Sequence, residues 1–201
     1  MNKVGSRHNE IVRMLAESAQ VKRAIAESKV SEIEQIAGLI IGAYQAGGKV
    51  VLFGNGGSAA DAQHIAGELV GKFMLKRPAL PAIALTTNTS ILTALGNDLG
   101  YEVVFSRQVE ALVTENDVVI GISTSGSSLN VIKAMKMAKM KGAKTIGLTG
   151  GNGGKLAEVA DLVLIVPSDS TPRIQEAHIT IGHIVCELVE KELFGAVDSG
   201  E

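Results

Sequence analysis

Asp117-Val118-Val119-Ile120-Gly121-Ile122-Ser123-Thr124-Ser125-Gly126-Ser127-Ser128 decides the fold. An apolar run, Asp117–Ile120, breaks off into glycine and then a dense set of hydroxyls, and a helical stretch follows. The same order of apolar run, small polar turn and helix recurs around Lys49–Phe53, Pro81–Leu85, Lys144–Leu148 and Leu162–Val166. Near-continuous apolar strands separated by helices belong to a parallel sheet covered on both faces. The expectation is an α/β fold, a doubly wound five-stranded parallel sheet that binds ligands at the C-terminal ends of its strands.

Upstream of the sheet the periodicity is helical. Ile11, Met14, Leu15, Val21 and Ile25 share one stripe, and Ile33, Ile36, Ala37, Ile40, Ile41 and Tyr44 share another. Ser31 and Glu34 have the spacing of a capping box. Residues 1–47 are therefore expected to form a helical hairpin that docks on a partner chain as well as on its own domain. Residues 48–195 form the sheet domain, and 196–201 a disordered tail. A last helix is expected from Pro172, a good first-turn residue, to Phe194, with Gly195 as its stop.

The 201 residues carry a net charge of −2 and only 3% aromatics, with no Trp. That balance offers neither the positive field nor the stacking rings of a nucleic-acid binder. No apolar run approaches the roughly 18 residues of a membrane span, and the N-terminus lacks a signal-peptide core. The expected location is the cytoplasm. Cys186 is the single cysteine, so no intrachain disulfide or cysteine zinc motif is available, and its apolar neighbours suggest a small buried hydrophobe. Met135, Met137 and Met140 read as packing on one helix, and Lys133, Lys136, Lys139 and Lys141 as a solvated face.

Three glycine-rich turns and four histidines carry the chemistry. Gly54-Asn55-Gly56-Gly57-Ser58-Ala59 has the G-x-G-x-x-A spacing of a dinucleotide turn. The acidic residue that would hold a ribose is missing at the end of the second strand, Ala84–Asn88, so the turn faces some other small polar ligand. Ser123–Ser128 places five hydroxyls at a helix start, more than capping needs, and reads as a phosphate cradle. Thr149–Lys155 fails the spacing of a P-loop and reads as a turn. His64 and Glu68 lie on one face of the helix after the first glycine turn. His183 lies on the last helix, with Gln175 two turns earlier. These groups could hold a divalent metal such as zinc, or act as an acid and a base. On spacing alone Glu176 rivals Gln175, and His178 rivals His183. Asn97 and Asp98 suit either a turn or a pair of sugar-hydroxyl contacts.

Through these residues the chain resembles the sugar isomerase (SIS) domains, whose phosphosugar signature Gly121–Ser128 matches. GNGGSAADAQHIAGELVGK at 54–72, LTTNTSILTALGND at 85–98 and TPRIQEAHITIGH at 171–183 are similar to the sedoheptulose 7-phosphate (phosphoheptose) isomerase family. The resemblance implies the flavodoxin-like SIS fold. It also implies an aldose–ketose isomerase making D-glycero-D-manno-heptose 7-phosphate through an enediol, at the first step of bacterial ADP- or GDP-heptose and lipopolysaccharide biosynthesis. Carried over by residue, Glu68 is the base and His183 the acid. His64, Glu68, Gln175 and His183 would hold one Zn²⁺ per subunit. Asn55, Gly56, Gly57, Glu68, Asn97, Asp98, Ser123, Thr124, Ser125, Ser128 and Gln175 would contact substrate. Lys72 stands where some members have Arg. The family implies a homotetramer. Two rival readings fit the same residues. One is a non-catalytic SIS tetramer that binds a phosphosugar or the replication initiator. The other is an isomerase of a shorter sugar phosphate.

Overall fold

The computed structural model describes residues 3–195, so the tail expected at 196–201 lies outside the described residues. Five parallel strands run β1 (Val50–Gly54), β2 (Ala82–Ala84), β3 (Val118–Ile122), β4 (Lys144–Gly150) and β5 (Leu162–Val166). They stand in the order β2-β1-β3-β4-β5. The order reverses direction at β1 and β3, where Gly54 is paired with Ile122. That reversal opens a crevice at the C-terminal rim.

Alternation along each strand sends side chains to two cores. Val50 and Leu52 face one side with Ile120, Ile146 and Leu164. That side is covered by α1 (Lys3–Ser28), α2 (Val30–Gln45), α3 (Gly57–Val70) and α8 (Thr171–Phe194). Val51 and Phe53 face the other side, where Phe53 stacks on Phe105 with ring centroids 5.2 Å apart. Four helices cover it: α4 (Thr89–Asp98), α5 (Ser106–Leu112), α6 (Leu129–Met140) and α7 (Gly154–Val159). Phe53 and Leu52 are both fully buried. Truncating either to Ala should cost about 2–5 kcal/mol, because the cavity adds to the lost transfer energy.

A buried carboxylate ties two strand beginnings together. Asp117 accepts from the backbone N–H and Nζ of Lys49, at 2.9 and 2.7 Å, and from the Thr114 N–H at 2.7 Å. Burial works against its charge, yet these donors hold the carboxyl below its ordinary range.

The helix ends refine the sequence reading. Helix α8 spans Thr171–Phe194, as expected from Pro172 and Gly195. The capping box does not form. Helix α2 begins at Val30 behind Lys29, no side chain caps it, and the Ser31 hydroxyl accepts from Gln35 instead. The start moves back because Val30 already has helical geometry, which puts Ser31 inside the first turn. The methionines also part company. Met135 is fully buried, whereas Met140 is 80% exposed at the last residue of α6. Cys186 is buried, as its neighbours implied. Ile11, Met14 and Leu15 of α1 stay exposed, while Ile25 of the same stripe is buried.

Candidate active site

The first glycine turn is held by its neighbours. Asn55 follows β1, and its amide pairs reciprocally with that of Asn130 on α6, with both hydrogen bonds 2.9 Å. The Tyr101 hydroxyl also donates to the Asn55 side-chain oxygen Oδ1 at 3.3 Å. Gly56 has φ 56°, and Gly57 opens α3. A Cβ on Gly57 would lie 2.3 Å from Nε2 of Gln175, so glycine there lets α8 approach the start of α3.

The hydroxyl-rich turn sits beside it, between β3 and α6. Ser128 occupies the N-cap position of α6 but makes no side-chain cap. Its Oγ lies 3.0 Å from Oγ of Ser123, which is itself buried. Ser125 is exposed, and its Oγ accepts from the Ser127 N–H at 3.3 Å. The cradle therefore keeps hydroxyls and first-turn amides at its mouth, the arrangement that attracts an anion. The turn after β4 buttresses it from behind. A Cβ on Gly126 would stand 2.0 Å from the Gly153 carbonyl oxygen, and Gly126 also needs φ 64°. Of Thr149–Lys155, expected to be a turn, only residues 151–153 lie between β4 and α7, and their backbone packs on the cradle. Between the two lies a cleft of about 350 Å³ lined in part by Thr124, Ser125, Asn152 and Asp169.

The histidines resolve by burial. His178 is fully buried under β4, 3.2 Å from the Thr149 carbonyl oxygen. A carbonyl only accepts, so Nε2 carries the hydrogen, and Nδ1 is left without a partner. Burial pulls this imidazole down to about 4, with the Thr149 contact opposing. His183 points the other way. Its Nε2 lies 3.2 Å from Nε2 of His64, which is 3.1 Å from Oε1 of Glu68. One donor atom from each of His64, Glu68 and His183 falls within 4.8 Å of the others. Zinc–nitrogen bonds of about 2.0–2.1 Å at tetrahedral angles put ligands roughly 3.4 Å apart, so these donors suit such an ion.

Gln175 and Glu176 also separate. Gln175 lays its amide against Gly57, whereas Glu176 pairs with Arg173 at 2.9 Å. Asn97 and Asp98 occupy the exposed last turn of α4, where the Asn97 amide donates to Asp98 at 2.7 Å. Three residues beyond Asp98, Tyr101 touches Asn55. Lys72 is exposed.

Three features of the site escaped the sequence reading. Asp61 is partly buried with Oδ2 unpartnered, and burial raises its carboxyl to about 6 while His64 opposes the rise. Its spacing to His64 and Glu68, i, i+3 and i+7, was visible and marks one helix face. Asn130, the partner of Asn55, lies in the first turn of α6, two residues past the hydroxyl-rich turn. Phe73 stacks on His183 with centroids 5.5 Å apart, from a segment without periodicity.

An open parallel sheet with a hydroxyl-lined turn at its switch point is the architecture of SIS domains, and an SIS domain model matches residues 14–150. The phosphoheptose isomerase of Aquifex aeolicus is 59% identical over 182 residues, covering 90% of this chain and 95% of its own. Among solved structures, phosphoheptose isomerase GmhA from Neisseria gonorrhoeae superposes with a TM-score of 0.87 at 44% identity. That match covers 92% of this chain and 98% of the other. A phosphoheptose isomerase from Francisella tularensis gives a TM-score of 0.89 at 38% identity, covering 95% and 100%. The chain belongs to the phosphoheptose isomerase family of SIS domain proteins.

Proposed function

We propose that the chain converts sedoheptulose 7-phosphate to D-glycero-D-manno-heptose 7-phosphate, and that Glu68 and His183 are its acid–base pair. One observation carries this reading. A carboxylate on α3 and an imidazole on α8 are brought together through His64, in a chain that also carries the hydroxyl cradle after β3. A non-catalytic phosphosugar binder needs the cradle but not this pair.

The cradle, through Ser123, Thr124, Ser125 and Ser128, would take the phosphate and fix one end of the sugar. Asn55, Gly56, Gly57, Asn97, Asp98 and Gln175 would meet the rest of the chain of hydroxyls. Glu68 then removes the C1 proton of the ketose, giving the enediol. His183 shuttles protons between the two oxygens, and reprotonation at C2 yields the aldose. Electrons stay within the substrate, so no redox cofactor is required. His64, Glu68 and His183 would hold Zn²⁺, one per subunit; Gln175, expected as the fourth donor, lays its amide against Gly57 at the start of α3, apart from these three in the single chain. When bound, the ion polarises the substrate oxygens as a Lewis acid. A carboxylate that ligates the ion is a weaker base, so rate and metal content belong in the same experiment.

The assembly in this reading is a cytoplasmic homotetramer acting on a small sugar phosphate. An apolar groove of about 340 Å³ between α1, α2 and α8, lined by Ile25, Val30, Ile33, Ile184 and Leu188, supports the assembly. Light scattering should show a multiple of the 20.9 kDa chain at micromolar concentration. A stable monomer would rule the tetramer out. For the reaction, purified protein is incubated with sedoheptulose 7-phosphate and followed by NMR. Growth of aldoheptose phosphate signals is expected, and none in metal-replete protein would overturn the assignment.

A further inference from the structure

We infer that the buried Arg77–Glu190 pair and Phe73 are positioning residues for the acid–base site, the pair locking α3 to α8 and seating the Phe73 ring on His183. This rests on the acid–base reading above, and deepens it by saying what holds the two groups in place.

Glu190 sits two turns beyond His183 on the same face of α8, where the buried stripe calls for an apolar residue. It is fully buried instead. Its carboxylate accepts from three successive backbone N–H groups: Phe73 at 2.7 Å, Met74 at 2.7 Å and Leu75 at 3.0 Å. Nε of Arg77 completes the shell at 2.7 Å. Arg77 also donates to the carbonyl oxygens of Glu68 and Leu69, each at 2.9 Å, in the last turn of α3. One ion pair therefore grips the backbone of Glu68, the helix that carries His183, and the segment that carries Phe73. Both side chains are only 1% exposed.

Stability alone is a weak reason for such a pair. Desolvating two charges commonly offsets their attraction, and an apolar replacement is often neutral or better. The segment between α3 and β2 has no helix or strand of its own. What fixes Phe73 is the grip of Glu190 on its N–H. The ring lies nearly parallel to His183, at an interplanar angle of 26°. His64 meets the same imidazole edge-on, at 5.0 Å and 62°. With one face covered by Phe73 and Nε2 facing His64, the plane of His183 is set before substrate arrives. Pre-set geometry of this kind matters to rate more than to binding, since small misplacements of a reacting group are costly.

The test is a kcat-against-KM comparison on the metal-replete, full-length enzyme. Phe73→Leu should lose about 10–100-fold in kcat with KM changed less than about threefold, the size seen when a supporting residue is removed. Phe73→Tyr keeps a flat ring and should restore kcat to within about threefold of the parent. Glu190→Gln should show the same split, and adding Phe73→Leu to it should have little further effect, because both act through one ring. A purely structural role would instead lower the melting temperature and leave the kcat of folded protein unchanged. That result, or equal losses in Phe73→Leu and Phe73→Tyr, overturns the inference. Should Glu190→Gln fail to fold, the two Phe73 variants still decide. His183→Gln in the same assay separates the layers. Normal turnover there defeats the acid–base reading itself, whereas an inactive control beside an unimpaired Phe73→Leu defeats only the positioning role.

Discussion

The cradle between β3 and α6 is written in consecutive residues, Ser123 to Ser128, and its hydroxyls meet five positions apart. The donor cluster draws His64 and Glu68 from α3 and His183 from α8, 119 positions from His64. The first is a local device, made by one strand end and one helix start. It needs only a turn, a positive-φ glycine at Gly126 and a supporting backbone behind it. The second exists only when two helices cross the same sheet face at the right depth. A local device should tolerate changes far away and lose binding when its own groups change. A device assembled from distant segments should lose rate, and it should depend on the contacts that hold its helices together.

The largest expected effect tests the assembled half. Glu68→Gln or His183→Gln should each lower kcat by about 10²–10⁴, the worth of a positioned acid or base. The double variant should fall well short of the product. Steady-state rates with metal content measured on each sample check this. Multiplicative losses would mean that the two groups work independently.

Next comes the contrast between two imidazoles on one helix. His178 is held near 4 by burial, against an ordinary value of 6.5. The unfolded chain therefore takes a proton below about 6.5 that the folded one refuses until near 4. The stabilisation is complete above pH 6.5 and is lost as pH falls, about 3 kcal/mol in all, of which about 2 kcal/mol goes between pH 7 and 5. Asp61 works in the opposite sense, since its raised carboxyl favours the folded state as pH falls through about 6. The difference between the parent and His178→Gln is thus the quantity to follow. Melting temperatures of the variant should decline less from pH 7 to 5. Parallel curves would show that His178 is not the group responsible.

Smaller still are the effects in the local half. Ser123→Ala or Ser125→Ala should weaken binding of substrate or inorganic phosphate by about 1–3 kcal/mol each, the loss of a charge-assisted hydrogen bond. The kcat at saturation should move less than for Glu68→Gln. Calorimetric titration giving unchanged affinity for both variants would remove the phosphate from this turn. Smallest of all is Ser31→Ala, outside both regions. Because Ser31 makes no cap, denaturant unfolding should shift by less than about 0.5 kcal/mol, and a larger shift would restore the capping box.

The same contrast explains what was legible. All five strands were found, because Val50–Gly54 and its counterparts are apolar runs closed by small polar turns. The cradle was legible for the same reason, as its whole chemistry lies within one turn. Glu68 and His64 were legible as one helix face, and His183 as a histidine on a long helix. Spacing could not say that His183 would meet His64 while His178 turned under β4, or that Gln175 would lie against Gly57 while Glu176 paired with Arg173, since the direction a helix faces is settled by what it packs against. Phe73 and Arg77 gave no signal at all. Their segment has no period, and their roles come from hydrogen bonds to a carboxylate more than a hundred positions away.

The reciprocal amides of Asn55 and Asn130 have a consequence for how the sequence can drift. Each side chain supplies both halves of the other's match, so neither position can change alone without stranding a polar group beside the sheet rim. Descendants of this chain would have to pass through a disfavoured intermediate to lose the pair. The two positions should therefore vary together or not at all among relatives, coupling the first turn of the sheet to the helix behind the second.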